Sequence, residues 1–150
     1  MIALDTNVLA RYLLNDDPEQ SGAAAALLKK RQTYTAPPSV ILELVWVLSI
    51  NDCSRSEISG ALKHLVGLPN FKPREFEALC RAIRWHEQGM DFGDALHLAL
   101  SVKDEKLLTF DLAMAKLARK LGAAPAVAEF DVRGFDKLAA SAPRRCRWTT

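Results

Sequence analysis

Apolar positions along the chain fall into short compact runs and longer stretches with helical spacing. Residues 2–5 (IALD) predict a short strand, and residues 6–14 (TNVLARYLL) a helix with Val8, Leu9, Tyr12 and Leu13 on one face. Asp17-Pro18 supplies an N-cap and a first helical residue for an alanine-rich helix running to about Gln32. Tyr34–Ala36 is a short strand ended by Pro37-Pro38, and residues 39–50 (SVILELVWVLSI) form a nearly all-apolar helix. Ser54 or Ser56 caps a helix with Ile58, Leu62 and Leu65 on one face, and Gly67–Pro73 is loop. A helix from about Arg74 to Glu87 stops at Gly89, and residues 91–103 (DFGDALHLALSVK) begin another. Leu107–Phe110 is strand, Asp111 to about Leu121 is helix ended by Gly122, and Ala126–Phe130 is a last strand. Helices alternating with short apolar strands predict an α/β fold with a small parallel sheet.

Composition narrows the class without naming it. The 150 residues are 49% hydrophobic and 25% charged, as in an ordinary globular protein, and suffice for one domain with a real core. A formal charge of +2 is too small to imply nucleic-acid binding by itself. There is no apolar run of about 18 residues, so no membrane span or membrane partner is expected. The start has neither the basic segment nor the cleavage pattern of a secretory signal. Cys53, Cys80 and Cys146 are widely spaced, forming no CxxC and no disulfide framework. A reducing, cytoplasmic setting is expected, with Cys53 and Cys80 in the core and Cys146 in the tail. The tail, 141–150, is basic and expected to be loosely ordered.

Four carboxylates carry the candidate chemistry: Asp5, Glu43, Asp94 and Asp111. Asp5 and Asp111 each follow a strand, and ligands of open α/β sheets bind beyond the carboxyl ends of strands. Taken singly, both are equally N-caps, and Asp91 is best explained that way. Glu43 resists the bland explanation. It is the one charged residue of its helix, which its apolar composition predicts to be largely buried. A buried carboxylate needs a partner or a metal, and no Lys or Arg lies within a turn, though a distant Arg would serve. Carboxylates gathered together repel and raise one another's pKa unless a cation neutralises them. Mg²⁺ or Mn²⁺ would do so, and such an ion can activate water against a phosphodiester.

Taken in order, DTNVLARYLLNDDPEQ, ELVWVL, DFGDALH and LLTFD make the chain resemble the PIN-domain family over roughly residues 2–130, closest to the VapC-type ribonuclease toxins of toxin–antitoxin pairs. The resemblance implies an α/β/α sandwich with a small, mainly parallel central sheet, as one nuclease domain over residues 1–140. By position, Asp5, Glu43, Asp94 and Asp111 match the family's four acids. The resemblance makes all four catalytic, with Asp5 and Asp94 as direct Mg²⁺ or Mn²⁺ ligands. It makes Glu43 and Asp111 completing members that hold metal waters and position the attacking one. Thr6, Asn7 and Thr109 are candidates to orient these acids, or else caps and turn formers.

The implied activity is hydrolysis of RNA by a metal-activated water, leaving a 5′-phosphate and a 3′-hydroxyl. The competing route, through the RNA 2′-hydroxyl, wants a general base such as histidine. His64, His86 and His97 are dispersed, with His97 one turn after Asp94. Candidate contacts to the RNA backbone are Arg11 first, then Lys29-Lys30-Arg31, Arg81, Arg84, Lys116, Arg119-Lys120 and the RRCR tail. The resemblance further implies a homodimer and a small antitoxin. Leu13, Leu14, Val47 and Leu48 are apolar candidates for those surfaces, or else core. An aspartyl-nucleophile phosphatase is the rival enzyme, but it commonly needs a second acid where Asn7 stands. The other rival is a non-catalytic α/β module, whether Mg-binding or protein-binding, with the acids serving as caps.

Overall fold

The structure, a computed structural model, describes residues 1–130. The basic tail and Cys146 lie outside the described residues. The chain starts with β1 (Ile2–Ala3), α1 (Thr6–Leu14), α2 (Pro18–Leu28) and β2 (Tyr34–Thr35). Four helices follow: α3 (Pro38–Ile50), α4 (Arg55–Gly67), α5 (Phe76–Glu87) and α6 (Phe92–Leu100). It closes with β3 (Lys106–Thr109), α7 (Leu112–Lys120) and β4 (Ala126–Glu129).

All strand pairing among the described residues is parallel, and it falls into two pairs. β1 lies on β2 with Ile2 opposite Tyr34, and β3 on β4 with Lys106 opposite Ala126 and Thr109 opposite Glu129. Tyr34 also bridges to Phe71, in a stretch expected to be loop; Tyr34 N donates to Asn70 O (2.8 Å) and Lys72 N to Tyr34 O (2.8 Å). Seven helices and two parallel strand pairs among the described residues give the expected mixed α/β architecture.

Helix ends follow local chemistry. Asp17 caps α2 by accepting from Gln20 N, and Ser54 and Glu57 form a reciprocal capping box at α4. The helix α2 ends at Leu28, earlier than its alanine pattern predicts, because Asn70 Nδ2 donates to Leu28 O (2.7 Å) and takes up an end carbonyl. Gly89 (φ +107°) and Gly122 (φ +61°) turn the chain after α5 and α7. Arg55 fastens α4 to the α5–α6 turn, its Nη1 donating to His86 O (2.8 Å) and Met90 O (2.7 Å).

The core runs between these layers through Leu9, Tyr34, Ile41, Leu44, Leu62, Phe71, Phe92 and Leu98. Two expectations need correction. The helix α3 is not largely buried: Glu43, Trp46 and Ile50 line an exposed face, with Trp46 62% and Ile50 59% exposed. Glu43 is therefore a solvent-facing carboxylate. Of the positions open to either core or interface, Leu48 is core, while Leu13, Leu14 and Val47 are half-buried against it. Cys53 and Cys80 are only half-buried.

Candidate active site

Asp5 stands at the N-cap of α1 with the extended backbone that position requires. Yet its side chain makes no capping hydrogen bond. The next residue, Thr6, is 3% exposed and donates from Oγ1 to Glu43 Oε2 at 2.6 Å. The start of α1 thus grips α3 through a charge-assisted bond that fixes the Glu43 carboxylate. Asn7 faces elsewhere, into a cleft of about 360 Å³ between α1 and α2 lined by Val8, Arg11, Gln20 and Leu27.

Asp91 caps α6, accepting from Gly93 N (2.8 Å) and Asp94 N (3.2 Å), as expected. Asp94 is half-buried in the first turn. Burial first, then the charges of Asp91 and Asp111, push its carboxyl above the usual range, against a smaller opposite pull from His97. Asp111 caps α7 with Oδ1 accepting from Met114 N (2.9 Å), while its own N–H donates to Thr109 Oγ1 (3.0 Å). Thr109 thereby holds the backbone that carries the fourth acid. Leu42, beside Glu43, packs over Gly93, beside Asp94; a Cβ at Gly93 would stand 3.7 Å from Leu42 Cδ1.

These contacts join the starts of α1, α6 and α7 and the middle of α3 into one chain of neighbours. Thr6 ties Glu43 to the α1 start that carries Asp5, and the charge of Asp111 is one of the smaller influences that raise the Asp94 pKa. The structure does not draw the four acids into a tight cage: among the described residues, no three His, Cys, Asp or Glu side chains form a ready metal-holding group. The donors are nonetheless hard carboxylate oxygens carrying uncompensated charge. A Mg²⁺ ion keeps most of its waters and needs only one or two carboxylates, so the donor chemistry fits such a cation.

Of the basic candidates, Arg11 is engaged, donating to Asp16 (2.6 Å) and Gln20 (2.9 Å). Lys29, Lys30, Arg31, Arg84, Lys116, Arg119 and Lys120 are solvent-exposed. His86 is buried away from the acids, against Phe92. The exposed aromatic neighbours of the acids, Trp46 and Phe110, were not singled out by sequence reasoning. The spacing of Trp46 from Glu43, three residues along one helix, was the available signal.

The PIN domain family model matches residues 2–139. The chain is a member of the PIN-domain family. PIN domains are in general nucleases and typically bind divalent metal ions. Comparison with the curated proteins gives no match. No described helix of this PIN domain is long and apolar enough to cross a membrane.

Proposed function

We propose that this PIN domain is a VapC-type endoribonuclease, the toxin of a toxin–antitoxin pair, which hydrolyses RNA with Mg²⁺ or Mn²⁺. The observation that carries the proposal is the pair Asp5 and Asp94. Capping accounts for one oxygen of Asp111 and for Asp91, but Asp5 sits at a cap position without capping, and Asp94 is held half-buried beside two like charges. A carboxylate kept in place against its own electrostatics, as Asp94 is, is characteristic of functional sites.

Asp5 and Asp94 would hold the ion, with Glu43 and Asp111 completing the acidic edge. When bound, the ion supplies charge neutralisation at the phosphate and lowers the pKa of water. Glu43, clamped by Thr6, orients the attacking water. Asp111 keeps Oδ2 clear of its helix cap and holds the negative field that recruits the cation. His97 lies near enough to feel Asp94 but is given no catalytic step. In-line attack by water leaves a 5′-phosphate and a 3′-hydroxyl.

The same proposal covers a single domain over residues 1–140, a reducing cytoplasmic setting, a second copy of the chain and a small antitoxin. The exposed apolar face of α3, Trp46 and Ile50, offers surface to a protein partner.

The test is cleavage of total bacterial RNA by purified protein, with Mg²⁺ or Mn²⁺ and with chelator, beside Asp94→Asn. Metal-dependent fragments bearing 5′-phosphates, absent from the variant, are expected. Equal cutting by both proteins would remove Asp94 from the site. No cutting by folded, antitoxin-free protein would overturn the nuclease assignment for that RNA.

A further inference from the structure

Between Thr109 and Asp111 stands Phe110, 69% exposed. A lone exposed apolar side chain is ordinary on any surface. Here the preceding residue, Thr109, is held twice and the Phe110 ring is braced once. On its C-terminal side Asp111 N donates to Thr109 Oγ1 at 3.0 Å. On the strand side Phe130 N donates to Thr109 O at 2.8 Å. The ring itself meets the Phe130 ring edge to face, with centroids 5.1 Å apart and planes at 82°. The result is a braced aromatic surface left in water, one residue from a carboxylate whose charge contributes to the raised pKa of Asp94.

RNA approaching an acidic edge is repelled by it except where a cation intervenes. An uncharged contact beside that edge grips the strand without adding to the repulsion. Single-stranded RNA offers such a contact, because unstacked bases lie flat on aromatic side chains whatever their sequence. We propose that Phe110 is a stacking platform, a positioning residue that seats one nucleobase of single-stranded RNA next to the phosphodiester presented to Asp94 and Asp111. The proposal rests on the ribonuclease assignment above.

The experiment uses the full chain carrying Asp94→Asn, which binds without cutting. Its probe is an unstructured RNA of about 12 nucleotides with 2-aminopurine walked along the strand, a length within ordinary single-strand site sizes. Fluorescence should change sharply at one label position and not at the others. Adding Phe110→Ala should abolish that change and weaken binding about 5- to 150-fold, the span of one lost base stack. Phe110→Trp should keep both signals, while Phe110→Leu, with the bulk but no aromatic face, should lose them. Circular dichroism and melting confirm that each variant is folded. Binding and label response unchanged in Phe110→Ala and Phe110→Leu would overturn the platform and leave the nuclease assignment standing. No RNA binding by the parent, together with no cleavage by the wild-type chain, would overturn both.

Discussion

Thr6 shows how much one hydroxyl can carry. Its burial and its 2.6 Å bond to Glu43 make it both a packing residue and the holder of a candidate catalytic acid. Thr6→Val keeps the shape and removes the bond. Loss of a hydrogen bond to a charged group costs about 1.5–3 kcal/mol, and exposure of Glu43 places this one at the lower end. Cleavage should fall further than stability, with kcat dropping about 10-fold or more from misorientation. Denaturant melts set against steady-state cleavage rates separate the two effects.

Asp94 makes the opposite trade. A carboxyl raised above its ordinary pKa is one whose charge the fold disfavours, so removing the charge should stabilise the metal-free protein at neutral pH. Asp94→Asn is expected to melt higher than wild type in chelator and to lose cleavage altogether. Mg²⁺ should narrow the gap by stabilising wild type alone.

His86 sets a pH dependence elsewhere. Arg55 Nη1 has two protons, and His86 O and Met90 O take them; this leaves His86 Nδ1 to donate to Met90 O at 3.0 Å. Burial is the largest influence on the imidazole and lowers its pKa, and the nearby guanidinium works in the same direction. The unfolded imidazole takes a proton near pH 6.5 while the folded one resists. Its contribution to stability is therefore present above that pH and lost as pH falls below it. Urea midpoints should drop between about pH 7.5 and 5.5, and the drop should shrink in His86→Gln.

Element by element, most of the fold is legible in the sequence. Caps and stops at Asp17, Ser54, Asp91, Asp111, Gly89 and Gly122 all act where the pattern places them. The helix α3 is the exception. A run as apolar as SVILELVWVLSI leaves no polar stripe to mark its outer side, so burial was expected all round. The outer side is instead Glu43, Trp46 and Ile50, spaced three and four residues apart. An exposed Trp and Ile on one helix face are what a protein interface uses. With the proposed second copy seated on this face, Ile50→Glu is expected to reduce the mass seen by light scattering to that of one chain, with melting little changed. At Gly89 the backbone is one that side chains avoid. Gly89→Ala should destabilise by about 1–3 kcal/mol, measured by urea melt.

At the scale of the whole molecule, the candidate site joins residues far apart in sequence, and periodicity alone does not show that they meet. The motif resemblance supplied the four acids; the physical pattern supplied strand ends for two of them. Neither revealed that Asp5 is free of its cap, that Thr6 clamps Glu43, or that Asp94 and Asp111 feel each other. Each of these depends on side-chain placement across separate helices, which spacing along the chain does not encode.

The division of the strands into two pairs has a mechanical side. Asp5 follows the β1–β2 pair and Asp111 the β3–β4 pair, and no ladder bond joins the pairs among the described residues. No strand ladder therefore fixes how far Asp5 stands from Asp111; helix packing does, and Leu42 of α3 over Gly93 of α6 is part of it. The seam has room on the α3 side: a methyl group at Gly93 would meet Leu42 Cδ1 at an ordinary 3.7 Å and press first on Asp91 Oδ1, 3.0 Å away, the oxygen that caps α6. The cap beside Asp94, not the spacing of the helices, is what such a change would disturb.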